Sequence, residues 1–330
     1  MPELKYPLFD GERVWEGACV RVEDGVIVSV VPCDPAACGE GFLLPGFIDA
    51  HTHMGTASQV QAMLQHGITA TCDVSASEAL VEDSKELEIV SSAGMAMGMV
   101  MNPKGFVERA AENGARYIKV LLFSPLSIGK AALSGIVKAA HEKGLKVAVH
   151  ATEVSTVRQA VEAGADILLH VPMKEPLPEE LAETIGKKGI AVAPTLVMME
   201  TFANSGKNGY KPEHYRNAEN AVGLLRKHGV AILCGTDANP GSFSPAVACG
   251  SSLHRELELL VQAGLTPMEA LSAATKKNAE VFDIRSGRIA AQMPASIVLV
   301  QGRPDRNITD TARIQQLWIH GKPFFKEEIT

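Results

Sequence analysis

The chain of 330 residues carries 31 basic and 38 acidic side chains, a formal net charge of −7, and 46% hydrophobic residues. This composition is typical of a globular protein, and the lack of a Lys/Arg cluster argues against nucleic acid or an anionic membrane surface as a partner. No apolar stretch reaches the ~18 residues of a spanning helix, the first residues lack a signal-peptide pattern, and the six cysteines form no C-x-x-C pair. We therefore expect a cytoplasmic protein with reduced cysteines.

Both chain ends predict short strands. The stretch "ACVRVEDGVIVSVVP" places Glu-Asp-Gly between two alternating apolar runs, which is typical of a β-hairpin. Near the C-terminus, "ASIVLVQG" and "QQLWIHGKPFF" have a similar pattern. We predict that residues 1–42 and 287–330 together form a small β-sandwich domain.

The middle of the chain repeats one pattern, in which a helical segment ends in a glycine and an apolar run follows at once. A glycine at this position is the usual left-handed helix cap, and short apolar strands suit a parallel sheet that is buried on both faces. The seven glycines of the pattern are Gly67, Gly94, Gly114, Gly144, Gly164, Gly189 and Gly229.

Seven helix-to-strand junctions, together with the apolar run "LLPGFIDAH" as the first strand, predict eight strands that alternate with helices. This number fits an α/β fold of the (β/α)8 TIM-barrel type over residues 43–286. An open, doubly wound sheet is the alternative, but no G-x-G-x-x-G motif follows any strand, so a dinucleotide site has no support. After the last strand, "HRELELLVQAG" and "TPMEALSAAT" predict two helices, the second capped by Thr266.

Polar side chains collect at the carboxyl ends of the predicted strands, where barrels of this kind place their catalytic groups. His51 and His53 end the first strand, and their spacing of two places both imidazoles on one face. The other strand ends supply Asp73, Lys119, His150, His170, Thr195 and Asp237. We expect Asp73 to support neighbouring residues or a turn through hydrogen bonds rather than to be a metal ligand.

This set of side chains suggests a metal centre, because neutral imidazole and carboxylate are usual ligands of zinc and similar ions. Four histidines and one aspartate suffice for two divalent ions if another group bridges them, and ions about 3.5–4 Å apart could share a bridging hydroxide. Lys119 cannot bind a metal as an ammonium group. Burial would lower its pKa, and the neutral amine could then take up carbon dioxide as a carbamate with two oxygens.

The ordered set "PGFIDAHTH", "YIKVLLF", "VAVHA", "LLHV", "VAPTL" and "CGTDA" resembles the metal-dependent amidohydrolase superfamily, in particular its imidazolonepropionase-like and dipeptidase-like branch. The resemblance implies two divalent ions, with zinc expected. It implies His51, His53 and Asp237 on the first ion, His150 and His170 on the second, and carboxylated Lys119 as the bridge.

The resemblance also implies a hydrolase that cleaves an amide-type C–N bond in a small molecule, with a metal-bridging hydroxide as nucleophile and Asp237 as general base. The substrate would be a cyclic amide, an N-acyl compound or a small peptide-like molecule. A lactone or carbamate hydrolase is one alternative, and a catalytically inactive assembly protein of this fold is another. All six expected ligand positions are filled, which argues against the inactive protein. The oligomeric state is left open, and a homo-oligomer is one option.

Two further features bear on the site. The irregular stretch "VMMETFANSGKNGYKPEHY" after the seventh strand suggests either a lid or plain surface. His254 follows the loop after the eighth strand, and a contact with substrate is one hypothesis for it.

Overall fold

A computed structural model describes residues 3–123, 128–241 and 244–324. Its strands are β1 (Leu4–Phe9), β2 (Val14–Glu23), β3 (Val26–Pro32), β4 (Phe42–Pro45), β5 (Phe47–Thr52), β6 (Ile68–Asp73), β7 (Glu88–Ser91), β8 (Met95–Ala96), β9 (Ile118–Leu121), β10 (Val147–His150), β11 (Ile167–Leu169), β12 (Ala191–Ala193), β13 (Ile297–Val300), β14 (Ile314–Ile319) and β15 (Lys322–Pro323).

The helices alternate with the strands through the middle of the chain. They are α1 (Ala57–Gln65), α2 (Glu78–Asp83), α3 (Pro103–Glu112), α4 (Lys130–Glu142), α5 (Val154–Ala163), α6 (Glu179–Lys187), α7 (Leu196–Ser205), α8 (Tyr215–Lys227), α9 (Ser251–Gln262), α10 (Pro267–Ser272) and α11 (Asn278–Phe282). The predicted cap of α10 is confirmed, since the Thr266 side chain accepts a hydrogen bond from the amide of Glu269 and Glu269 reciprocates. None of the described helices combines the length and apolarity that crossing a membrane requires.

The strands predicted at the two chain ends are present, and they share one seven-stranded sheet in the order β15-β14-β13-β4-β1-β2-β3. The pairs are antiparallel except for β1 with β4. Residues 43–45, which the sequence assigned to the first barrel strand, lie in β4 and pair with β13 instead. The chain changes sheets at Gly46, where an added Cβ would lie 2.2 Å from the Thr69 hydroxyl oxygen. A separate domain of residues 1–42 and 287–330 stays a prediction.

The other strands form two parallel sheets, β5-β6-β7 and β8-β9-β10-β11-β12, so the α/β fold with parallel strands is confirmed. Residues 231–238, the predicted eighth strand, hydrogen-bond on both sides. The amide of Leu233 donates to Val192 of β12, and the carbonyl of Cys234 accepts from Ala50 of β5. On the remaining flank, the amide of Arg116, just before β9, donates to the carbonyl of Ser91 in β7.

Two elements differ from their prediction. The segment before Gly94 was predicted as a helix, but it forms β7, while the strand after this glycine is only the two residues of β8. Ile89 and Val90 are buried, and β7 pairs with β6, so sheet pairing and burial decide this segment. The stretch after the seventh strand was predicted as irregular, but its first half is helix α7, in which Met198 and Met199 are buried.

One buried side chain joins the first and last of the predicted barrel strands. Asn278 of α11 is fully buried, and its Nδ2 atom donates to the carbonyl oxygens of Ile48 and Cys234, at 2.7 Å each. Because these carbonyls belong to neighbouring strands, the amide group ties α11 to both.

We predict that Asn278→Leu, which keeps the side-chain size, destabilises the protein by about 1–3 kcal/mol and lowers Tm by several degrees. The physical reason is the loss of two buried hydrogen bonds at the junction of β5 with residues 231–238. Thermal unfolding followed by circular dichroism measures the change. Asn204→Leu, at an exposed position of α7, is the control and should leave Tm nearly unchanged. Equal Tm values for the two variants would contradict the prediction.

Candidate active site

The first two histidines lie at the end of β5, as the strand spacing predicts. The side chain of His51 is 1% exposed and that of His53, one residue beyond the strand, is 27% exposed. Their ring centroids are 5.0 Å apart. The Nδ1 atom of His53 lies 2.8 Å from the hydroxyl oxygen of Ser75, which orients its Nε2 atom away from β6.

Asp237 faces both of these rings. Its Oδ1 atom lies 3.1 Å from Nε2 of His53 and 3.4 Å from Nε2 of His51. The backbone amide of Asp237 donates to the carbonyl of His51 at 2.8 Å, so the main chain fixes the spacing of the two residues. The carboxylate and the two imidazoles thus converge, which is the arrangement predicted for the first metal ion.

Lys119 lies on the other side of His51. Its side chain extends from β9 into the interior, is 1% exposed, and places Nζ 3.4 Å from Nε2 of His51. Burial lowers the pKa of Lys119 to about 7, although the charge of Asp237 acts in the opposite direction. Burial therefore favours the neutral amine at Lys119 far more than in a solvent-exposed lysine.

His150 and His170 form the third part of the cluster. His150 ends β10, His170 follows β11, and their ring centroids are 4.4 Å apart. The ring of His170 is also 5.4 Å from that of His51. The structure therefore links all six predicted ligand positions by contacts between neighbours.

Three imidazoles of the cluster, those of His51, His150 and His170, have lowered pKa values. Burial, then the charge of Lys119, lowers the pKa of His51 well below its ordinary value and that of His150 to about 3. Burial, then the neighbouring His150, lowers the pKa of His170 in the same way. A neutral imidazole has a free lone pair, which is the form that binds a metal ion.

The nitrogen atoms of the cluster fit a divalent cation. Among the described residues, Nδ1 of His51 and Nε2 of His170 are buried without a hydrogen-bond partner. His51, His170 and Asp237 each offer one ligand atom, and these atoms lie within 4.8 Å of one another. Because buried polar atoms without partners are costly, a cation bound at Nε2 of His170 would satisfy that atom, whereas at His51 it is Nε2 that faces Asp237. The individual metal-ligand roles of the six residues stay predictions.

The backbone turns sharply where the site residues leave their strands. His170, Thr195 and Asp237 have φ angles of 72°, 51° and 56°. This left-handed region is uncommon for residues other than glycine, and such conformations concentrate at functional sites. The surrounding structure must therefore hold these three residues in place.

Three side chains to which the sequence analysis gave no role support the cluster: Asp49, Thr195 and Thr236. Oδ1 of buried Asp49 accepts from the amides of His51 and Thr236, and its Oδ2 accepts from the Thr236 hydroxyl at 2.7 Å. The hydroxyl oxygen of Thr195 lies 2.7 Å from Nδ1 of His170. The position of Asp49 two residues before His51 was the available signal, because alternate residues of a strand share a face.

Two other predictions have opposite outcomes. Asp73 accepts hydrogen bonds from the Thr52 hydroxyl and from the amides of Met54, Ser75 and Ala76, as expected of an acid in a turn. His254 does not join the cluster. It is 4% exposed and packs edge-on against Phe47, at the opposite end of β5 from His51. The structure therefore contradicts a contact between His254 and substrate.

The segment after α7, residues 206–214, lies beside the cluster. The ring of Tyr210 contacts Phe202 and the ammonium group of Lys174, and the tyrosine lies near the side chain of Thr152. Thr152 and Lys174 follow β10 and β11, so Tyr210 lies near the chain that leaves these two strands. Its action as a lid stays a prediction.

Several known proteins are similar to this chain. An uncharacterized protein of Mycobacterium tuberculosis is 24% identical over 280 residues, which cover 71% of this chain and 72% of that protein. The imidazolonepropionase of Pseudoalteromonas atlantica is 24% identical over 210 residues, covering 62% of this chain and 46% of that protein. A crystal structure of a Xaa-Pro dipeptidase with bound methionine in the active site superposes with a TM-score of 0.82 at 18% identity, covering 98% of this chain and 99% of the other.

A family model also matches most of the chain. The amidohydrolase family model matches residues 42–324, which include every residue of the cluster. The resemblance inferred from the six sequence motifs is confirmed. The chain belongs to the amidohydrolase family.

Proposed function

We propose that this protein is a metal-dependent hydrolase that cleaves an amide-type C–N bond in a small molecule. The observation that carries the proposal is the buried cluster in which neutral His51, His150 and His170 meet Lys119 and Asp237. Family membership supports hydrolysis in general, and the relatives named imidazolonepropionase and Xaa-Pro dipeptidase favour an amide-type bond.

A closed (β/α)8 barrel is part of the proposal, because it would bring all the strand ends to one rim. Its support is the hydrogen bonding of residues 231–238 to both β12 and β5, and the bond from Arg116 to Ser91 on the other flank. The chain-end sheet would then be a small domain packed beside the barrel.

The cluster would hold two divalent ions, of which zinc suits the nitrogen-rich ligand set. His51, His53 and Asp237 would bind one ion, and His150 and His170 the other. Lys119 would bridge them as a carbamate, because a neutral amine is the form that reacts with carbon dioxide. Bound divalent ions would polarise the scissile carbonyl and lower the pKa of water.

Asp237 would move the proton in this reaction. Its side chain is 13% exposed, so one face of the carboxylate is open to solvent while Oδ1 faces the histidines. It would accept a proton from the attacking water and deliver it to the leaving nitrogen, which departs readily only when protonated. The more exposed His53 marks the side from which a substrate can approach.

A lactone or carbamate hydrolase remains the second candidate, since attack on an ester-type carbonyl needs the same groups. The two differ in the leaving atom, because an alkoxide depends less on proton delivery than an amine does. An inactive assembly protein is the third candidate, and the complete set of six ligand positions weighs against it.

The proposed function predicts that purified protein binds close to two divalent ions per chain and hydrolyses a member of a panel of N-acyl amino acids, dipeptides, cyclic amides and lactones. Elemental analysis gives the metal content, and chromatography of the products gives the bond cleaved. Protein stripped with a chelator is the control and should regain turnover when zinc is returned. Metal-replete protein that binds no ion would refute the proposal, and cleavage of lactones alone would favour the second candidate.

We predict that Asp237→Asn keeps the fold and most of the metal but lowers turnover by about 100- to 10,000-fold. Asparagine keeps the shape and one oxygen ligand, but its amide cannot take up a proton near neutral pH. His254→Asn, at a buried position away from the cluster, is the matched control and should keep its turnover. A loss below about tenfold with metal retained would show that proton transfer does not run through Asp237.

The neutral amine of Lys119 predicts a pH dependence of stability in metal-free protein. The unfolded chain binds a proton at Lys119 up to its ordinary pKa of 10.5, whereas the folded protein releases it at about 7. Between these values the unfolded state holds more protons, so the free energy of unfolding rises with pH, by up to about 1.4 kcal/mol per pH unit from this group.

Urea unfolding between about pH 7 and pH 10, in buffer free of carbon dioxide, measures this slope. Lys119→Met removes the titrating group and should show a smaller rise with pH than the unsubstituted protein. Lys138→Met, at an exposed position of α4, should retain the full rise. Parallel curves for the unsubstituted protein and Lys119→Met would mean that the folded protein keeps the ammonium form.

A further inference from the structure

Glu256 is a buried acid that the proposed mechanism does not use. It lies in α9, is 0% exposed, and directs its carboxylate at the start of α7. Its Oε1 atom accepts from the amide of Leu196 at 2.9 Å, and its Oε2 atom accepts from the amide of Val197 at 2.7 Å. Each carboxylate oxygen therefore satisfies one amide of the first turn of α7.

Thr195, the residue before α7, does not cap this helix with its own side chain. Its φ angle is 51°, it is fully buried, and its hydroxyl oxygen lies 2.7 Å from Nδ1 of His170 instead. The two tasks at this helix start are thus divided. Glu256 supplies the acceptors for the helix amides, and the hydroxyl of Thr195 remains available to His170.

We propose that Glu256 is a positioning residue for His170. By holding the amides of Leu196 and Val197, it fixes Thr195 in its left-handed conformation, so that the threonine hydroxyl accepts the Nδ1–H of His170. The ring then carries its proton on Nδ1 and presents the lone pair of Nε2, the atom without a partner among the described residues, to the cluster. The consequence for a metal ion rests on the proposed function, whereas the consequence for the ring of His170 does not.

A substitution that changes the hydrogen-bond acceptor but not the size of residue 256 can distinguish a positioning role of Glu256 from a role in packing alone. Each oxygen of the Glu256 side chain accepts one amide hydrogen bond, whereas glutamine of nearly the same size would place an NH₂ donor against one of the two amides. Glu256→Gln should therefore shift the start of α7 while it preserves the packing. Glu258→Gln is the matched control, because Glu258 lies on the same helix with its side chain 29% exposed and pairs with Arg255.

The first test reads the ring of His170 in metal-free protein by NMR with ¹⁵N-labelled histidine. In the unsubstituted protein and in Glu258→Gln, we expect His170 as the Nδ1–H tautomer alone. In Glu256→Gln and in Thr195→Ala, we expect a mixture of tautomers, while Thr195→Ser, which keeps the hydroxyl, should restore one. Unchanged His170 signals in Glu256→Gln would overturn the proposal. If Glu256→Gln does not fold, Glu256→Asp, which shortens the acceptor by one methylene group, takes its place with the same expectation.

The second test measures zinc affinity by competition with a chelating dye. Loss of a group that orients a ligating histidine typically weakens metal binding by about 10- to 100-fold, and we expect this loss for one ion in Glu256→Gln and in Thr195→Ala. The double variant should bind no more weakly than Thr195→Ala alone, because both residues act through the same hydroxyl. Losses that multiply would overturn the proposed relay. Failure of the unsubstituted protein to bind zinc would refute the proposed function, and the NMR test would still decide the role of Glu256.

Discussion

The site depends on keeping a group of basic nitrogen atoms out of water. Lys119, His51 and His170 are buried, and half-buried His150 lies against the ring of His170. Burial lowers their pKa values, and their mutual proximity lowers those of the imidazoles further, so that the site favours neutral nitrogen atoms with free lone pairs. A set of converging lone pairs next to a single carboxylate attracts a cation, and the same burial that prepares it would strengthen that attraction.

Such a cluster needs support from the backbone, because two of its members, His170 and Asp237, have left-handed backbone conformations. Two buried acidic side chains provide this support at two different places in the chain. Asp49 holds the amides of His51 and Thr236, next to Asp237, and Glu256 holds the start of α7, next to Thr195. Both acids accept backbone amides rather than pair with a basic side chain, which fixes the main chain and leaves the nitrogen atoms of the cluster free.

The sequence predicts the residues of the cluster better than the residues and strand pairings that hold them in place. His51 and His53 are recognisable from strand periodicity. Each repeated glycine marks the start of the next strand, so the polar residue at the end of that strand could be predicted from the sequence. Glu256 could not, because its two acceptor bonds join residues about 60 positions apart and no local pattern marks them. The assignment of β7 failed because its pairing with β6, which no local periodicity reveals, decides its structure.

Helix α7 shows why the error after the seventh strand matters for function. An irregular loop at this position would leave no regular element between the residues at the strand ends and the segment around Tyr210. Helix α7 is such an element. The helix follows directly after Thr195, whose hydroxyl contacts His170, and its last turn leads into the segment that contains Tyr210. Buried residues along the helix, such as Met198, anchor it to the core. The structure after the seventh strand thus joins the contact of Thr195 with His170 to the segment that carries Tyr210.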